Sequence, residues 1–138
     1  MPITMNGPLC YCAALRAATR KITALYDEAL APAGVGLAQF SLLRKIERAR
    51  REVSLSELGR LASLDRSTVG RNVRVMLRIG LIERSAGADR REATVRLADS
   101  GRAALAAGAP LWQGAQDRIE AKLGERGAHD LRALLAAL

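Results

Sequence analysis

The sequence predicts a mainly α-helical protein with one small β-hairpin. Apolar residues recur at intervals of three and four along most of the 138 residues, as expected for amphipathic helices. One segment, 81–97, instead shows two short alternating runs around a polar turn, which is typical of a hairpin. A chain of this length is expected to form a single domain, 1–138. Because only 3% of its residues are aromatic, the core has to be aliphatic.

Positive charge is concentrated in the middle of the chain. The window 44–96 holds 14 basic and 7 acidic residues, a balance of +7, whereas the rest holds 8 basic and 7 acidic residues, a balance of +1. A uniform compositional bias would not produce this contrast. The window therefore predicts contact with an anionic partner, and nucleic acid is the leading candidate.

Two helices are predicted in the first part of the chain. In the first, 9–31, steps of three and four form an apolar stripe expected to face the core. Its members are Cys12, Leu15, Ala18, Ile22, Leu25 and Ala29. "APAGVG" ends this helix, and "LAQFSLLRKIERA" forms the second, with Phe40, Leu43 and Ile46 directed inward.

Two short capped helices follow. Ser54 precedes Glu57 by three residues, the spacing of a reciprocal capping box, so a short helix is expected to start there. "SLD" forms a turn in which Asp65 caps the next helix, 66–79, and Gly80 ends it. The inner stripe of that helix is expected to be Val69, Val73, Met76 and Leu77.

The hairpin and the last helices complete the chain. "LIERS" and "ATVRL" are the predicted strands, and Ala93, Val95 and Leu97 are expected to form the buried face of the second. Asp99 or Ser100 is predicted to cap a long helix that Pro110 bends. "GERG" separates a final leucine-rich helix.

This order of elements predicts a winged helix-turn-helix that binds double-stranded DNA. The major groove admits one helix, and the second short helix offers polar and basic side chains to it. The candidate contacts on this helix are Arg66, Ser67, Thr68, Arg71, Asn72 and Arg74. At the hairpin tip, Arg91 is the candidate for minor-groove insertion, Asp89 its positioning partner and Arg90 a phosphate contact. The alternative is a helical bundle with a solvated basic face.

The stretch "SLSELGRLASLDRSTVGRNVRVMLRIGLIERSAGADRREATVRLADSG" resembles the DNA-binding core of MarR-family transcriptional regulators, including the Asp-x-Arg wing signature at Asp89 and Arg91. The resemblance implies a homodimer on a pseudo-palindromic operator, with small aromatic or phenolic effectors. It divides the chain into a winged part, 37–98, and dimerisation helices, 9–31 and 99–138. The leucine and alanine stripes of those helices independently favour a partner subunit, and the alternative is that they pack on each other within one chain.

The region around Cys12 resembles the organic-hydroperoxide-sensing branch of that family. The resemblance implies that Cys12 is an oxidisable thiol and that Tyr26 is one of two tyrosines that hydrogen-bond its sulfur. The second tyrosine position holds Arg16 here. The alternative is that Cys12 is a small apolar residue of the core stripe.

Enzymatic activity is not expected, and neither is a cofactor. Cys10 and Cys12, without a supporting cluster of histidine or acidic residues, make a poor metal site. No apolar run reaches the length of a membrane span, and the N-terminal segment lacks the features of a signal peptide, so the expected location is the cytoplasm. Two other functions stay open. They are a small thiol-redox protein using Cys10 and Cys12, and a helical protein-interaction module.

Overall fold

The computed structural model describes residues 10–85 and 93–138. The elements are α1 (Tyr11–Leu30), a 3-10 turn (Ala31–Ala33), α2 (Leu37–Ala49), β1 (Val53–Ser54), α3 (Leu55–Ala62), α4 (Arg66–Arg78), β2 (Ile82–Ser85), β3 (Thr94–Leu97) and α5 (Asp99–Ala136). The predicted fold class, a helical protein with a small β-wing, is confirmed.

The helix-turn-helix and the sheet share one aliphatic core. Its largest fully buried side chains are Leu30, Phe40, Leu42, Leu43, Val53, Leu58, Val69, Met76, Ile82 and Val95. The predicted inner stripe of α4 is confirmed, because Val69, Val73 and Met76 are buried and Leu77 packs against the core at partial exposure. Burial of this stripe turns the opposite, basic face of α4 to solvent.

The first half of α1 does not face the core of its own chain. The buried residues of this helix, Tyr26 and Leu30, lie near its C-terminal end. Cys12, Leu15 and Ile22 are exposed, so the predicted core stripe is wrong for this half within one chain. The physical reason is the length of the helix. Its 20 residues span about 30 Å, so its N-terminal part extends past the residues that form the core.

Among residues 10–85 and 93–138, the sheet has three antiparallel strands in the order β1-β3-β2, one more than predicted. β1 pairs Val53 with Val95 and Ser54 with Thr94, which makes β3 the central strand. Val95 is buried and Leu97 is half-buried, as predicted, but Ala93 is exposed because β3 begins only at Thr94.

The long helix α5 differs from the prediction at its start. Its N-cap is Ala98, which forms no side-chain cap. The Ser100 hydroxyl instead donates to the Gly80 carbonyl, and Asp99 forms an ion pair with Arg102. Both predicted caps therefore have other partners, Gly80 for Ser100 and Arg102 for Asp99.

Helical geometry in α5 is interrupted at Gly124 (φ 73°, ψ 161°), inside the predicted separator "GERG", whereas Pro110 keeps helical backbone angles. Glycine adopts a positive φ without the strain that a side chain would add. Across this break, Arg132 forms an ion pair with Glu120. The predicted separation of a last helix is confirmed, although the break is a single residue.

The junction between α5 and the winged part is close. A side chain at Gly101 would overlap the carbonyl oxygen of Leu81, and one at Gly108 would lie 2.7 Å from the Phe40 ring. Glycine at these positions therefore allows α5 to lie directly against the start of β2 and against α2.

Candidate nucleic-acid interface

The N-terminus of α4 is fixed by Asp65, as the sequence predicted. The carboxylate accepts a hydrogen bond from the Thr68 amide at 3.2 Å and another from the Thr68 hydroxyl at 2.6 Å. It also accepts from the Ser67 hydroxyl. The hydrogen bonds from Ser67 and Thr68 hold the pKa of Asp65 well below its usual value. An anionic cap at this end also complements the helix dipole.

The preceding helix α3 is capped by Ser54, whose hydroxyl oxygen accepts from the Glu57 amide at 3.1 Å. The reciprocal half of the predicted capping box is replaced. The Glu57 carboxylate forms a two-pronged ion pair with the Arg51 guanidinium, which lowers the pKa of Glu57. This pair ties the start of α3 to the segment that leads out of α2.

The solvent face of α4 is basic. Arg66, Ser67, Arg71 and Arg74 are exposed, and together with Gly70 they line a shallow cleft of about 520 Å³. The structure thus brings four of the predicted DNA contacts onto one surface. A helix with a basic, uncovered face and a fixed N-terminus has the form required to enter a major groove.

Two other predicted contacts are turned toward the helix itself. Thr68 and Asn72 are half-buried, and the Asn72 side-chain amide donates to the Thr68 carbonyl at 3.1 Å. The Thr68 hydroxyl donates to Asp65 and accepts from Arg71 at 3.4 Å. In this structure both side chains support the local geometry of α4 and the placement of Arg71.

The predicted wing contacts, Asp89, Arg90 and Arg91, lie outside the described residues. The described base of the hairpin is held by the Ser85 and Thr94 hydroxyls, 2.8 Å apart, and by a cross-strand ion pair between Glu83 and Arg96 at 3.2 Å. These contacts tie β2 to β3 on both sides of residues 86–92.

Cys12 and Tyr26 are not brought together within one chain. They lie about 21 Å apart along α1, given a rise of about 1.5 Å per residue. Cys12 is exposed beside Arg16 in a surface groove, while Cys10 is the N-cap residue just outside the helix. Tyr26 is buried and donates to the side-chain oxygen of Gln116, and burial raises its pKa. A Tyr26–Cys12 contact therefore requires a second copy of the chain.

A second groove, of about 470 Å³, lies between α2 and α5. Phe40, Leu105 and Trp112 form part of its apolar floor, and its charged rim contains Arg44, Arg48, Arg102 and Glu47. The Arg44 guanidinium carbon lies 4.5 Å from the centroid of Trp112 and 5.8 Å from that of Phe40. Sequence reasoning missed this cation–π arrangement, because nothing local connects residues 44 and 112.

Comparison with known proteins identifies the family to which this fold belongs. A family model described as MarR family matches residues 33–92. The transcriptional regulator MosR of M. tuberculosis, solved in complex with DNA, shares 38% identity over 94% of this chain and 96% of that one, with a TM-score of 0.80. The chain belongs to the MarR family. A comparison with curated protein sequences finds no match.

Two further solved structures share this fold. A probable transcriptional regulator from Pseudomonas aeruginosa shares 30% identity, with 92% and 95% of the two chains covered and a TM-score of 0.83. A mutant of MarR from E. coli complexed with operator DNA shares 24% identity, covers 91% of each chain with a TM-score of 0.81, and supports the fold.

Membership of the MarR family confirms the expectation of a transcriptional regulator rather than an enzyme. The match to the hydroperoxide-sensing branch stays a prediction. Within residues 10–85 and 93–138, His, Cys, Asp and Glu side chains form no group of three or more that could hold a metal ion. Among the helices of the same residues, none combines the length and apolar character of a membrane span.

Proposed function

We propose that this MarR-family protein is a sequence-specific repressor that binds a pseudo-palindromic DNA operator as a homodimer. The observation that carries the proposal is the capped helix α4, whose buried stripe of Val69 and Val73 turns Arg71 and Arg74 outward. Residues 37–98 would form the DNA-reading part, with Arg66, Ser67 and Arg71 at base edges. Asp89, Arg90 and Arg91 would form the wing contacts. We place the protein in the cytoplasm, where a regulator of this kind would reach the DNA that carries its operator.

Exposed apolar side chains support the homodimer. Leu15, Ile22, Leu134, Leu135 and Leu138 are exposed in one chain and lie in α1, near the end of α5 or just after it. An uncovered set of this kind on two terminal segments is expected to pack against a second copy. Two winged parts linked in one dimer would also raise the affinity for an inverted repeat. We therefore assign 9–31 and 99–138 to dimerisation.

The test is selection of bound duplexes from a random library, followed by binding measurements at several salt concentrations. The expected result is an enriched inverted repeat bound by two protomers. Arg71→Ala is expected to weaken binding to it by about tenfold, as for loss of one base contact. Arg126→Ala removes the same charge from an exposed side chain of the last helix. It is the matched control once sedimentation shows that the variant is still a dimer, and it should then leave affinity unchanged. Failure to enrich any sequence would contradict the proposal. It would favour the interaction module instead.

A small aromatic or phenolic anion is the effector that the groove between α2 and α5 supports. Its volume falls within the range of about 300–1,000 Å³ that is usual for small-molecule sites. The ring of Trp112 offers a stacking surface, while Arg44 and Arg48 offer positive charge. Because Trp112 is the sole tryptophan, its fluorescence reports on this groove. Benzoate and 4-hydroxybenzoate, which are both anions at neutral pH, are expected to quench it and to release the operator, and Arg44→Ala should abolish both effects.

A hydroperoxide is the second candidate signal, supported by the exposure of Cys12 beside Arg16. The thiol would take one oxygen atom from the peroxide, giving a sulfenic acid and an alcohol. Cys12→Ser should keep operator binding insensitive to peroxide, with Cys10→Ser as the control. Mass spectrometry should find the added oxygen atom on Cys12. Catalytic turnover with a thiol reductant would instead favour a redox enzyme.

A further inference from the structure

Gly70 lies in the interior of α4, where glycine is the least favourable residue apart from proline. Its backbone does not require glycine. The described glycines with positive φ are Gly34, Gly80 and Gly124, and Gly70 lies within the regular helix. A residue with a side chain could adopt the same backbone angles and would strengthen the helix.

Packing within the chain does not require glycine at this position either. A Cβ atom at Gly70 would meet no atom of the described chain within 4 Å. Gly59 in the neighbouring helix α3 differs, because a Cβ there would lie 3.2 Å from the Leu64 carbonyl oxygen. The glycine at position 70 therefore costs helix stability without a steric reason among residues 10–85 and 93–138.

The open space at Gly70 lies on the basic face of α4. Gly70 lines the same shallow cleft as Arg66, Ser67, Arg71 and Arg74. The missing side chain thus leaves a gap between cationic groups, at the surface where the helix would meet DNA. Backbone that must approach a ligand closely is a recurrent reason for glycine.

We propose that Gly70 sets how deeply α4 enters the major groove, by letting its backbone come into direct contact with a base edge between the Ser67 and Arg74 side chains. The inference rests on the proposed DNA-binding function. It makes Gly70 a determinant of sequence specificity, because base edges are read only at short range, whereas phosphates are reached by long arginine side chains. An added methyl group would hold the helix away from the bases.

The test compares Gly70→Ala with Gly114→Ala, which removes a helical glycine in α5 that is equally open within its chain. Both substitutions are expected to raise Tm and to leave the dimer intact in sedimentation. Gly70→Ala is expected to lower the ratio of affinities for the selected operator and for random duplex by about tenfold or more, while Gly114→Ala leaves it unchanged.

Three outcomes would overturn the inference. An unchanged affinity ratio for Gly70→Ala shows that α4 does not depend on close approach at this position. A Tm below that of the wild type shows that the space at Gly70 is not open. A wild-type protein that enriches no sequence overturns the proposed function together with this inference. Enrichment by the wild type with an unchanged ratio for Gly70→Ala overturns this inference alone.

Discussion

The Thr68 hydroxyl lies 2.6 Å from one carboxylate oxygen of Asp65, and its backbone amide lies 3.2 Å from the other. One residue thus donates twice to the cap that precedes it. Because an ionised carboxylate only accepts hydrogen bonds, the hydroxyls of Ser67 and Thr68 both direct their protons toward Asp65. The start of α4 is therefore fixed before any DNA is bound.

Asp65→Ala is expected to lower Tm and to weaken operator binding, because the first turn of α4 loses its acceptor. Asp65→Asn should fall between this variant and the wild type, since asparagine also caps helices well but carries no charge. Thermal unfolding and operator titration measure the two effects. Asp130→Ala, in the last helix, is the control and should change neither by a comparable amount. Equal values for Asp65→Ala and wild type would contradict a role for the cap.

The same cap predicts a pH dependence. The folded pKa of Asp65 lies below its usual value of 3.8, so the folded state binds this proton less readily than the unfolded state. The stabilisation is therefore complete above about pH 4 and is lost as pH falls further toward the folded pKa. The difference in Tm between wild type and Asp65→Asn should stay constant from about pH 7 to pH 5 and shrink below about pH 4. If this difference in Tm disappeared near neutral pH, the titrating group would be one other than Asp65.

An acidic residue on the exposed stripe of α1 should separate the proposed dimer. Leu15→Asp places a charge on an apolar surface that a second copy would cover, and burial of an unpaired charge strongly opposes association. Sedimentation is expected to show monomers and operator binding should fall at least about tenfold, since two linked sites become independent. Leu61→Asp is the matched control, because Leu61 in α3 is similarly exposed (45% against 41%) but lies in the winged part. Dissociation by both variants, or by neither, would argue against α1 as the interface.

Arg91→Ala is expected to weaken operator binding by about tenfold or more without lowering Tm, because a minor-groove arginine interacts with DNA rather than with the protein core. Arg90→Ala should reduce the salt dependence of binding, with a smaller effect on sequence preference, as expected for a phosphate contact. Titrations of operator and random duplex at several salt concentrations separate the two roles. Arg126→Ala again provides the control. Unchanged operator affinity for Arg91→Ala would exclude the wing proposal.

The parts of this protein that the sequence predicted well are those set by neighbours in the chain. The Asp65 cap lies within three residues of its donors, and the stripe from Val69 to Met76 follows helical spacing. For the same reason the exposed basic face of α4 could be predicted before its environment was known.

The features that sequence reasoning missed depend on distant residues. β1 is only two residues long, and it exists as a strand because Val53 meets Val95. The sequence predicts Asp99 or Ser100 as the cap of α5, but the Ser100 hydroxyl donates to the Gly80 carbonyl, which lies 20 residues earlier in the chain. The exposure of Leu15 in the single chain likewise depends on where the rest of the core ends.

Ser54 belongs to two units at once. Its hydroxyl oxygen caps α3 while its backbone pairs with Thr94 in the central strand of the sheet. A one-residue slip of the hairpin would therefore disrupt the start of the helix-turn-helix as well. We expect each winged part to move as a rigid unit. A signal would then release the operator by changing the distance and the angle between the two winged parts of a dimer, while the internal geometry of each is preserved.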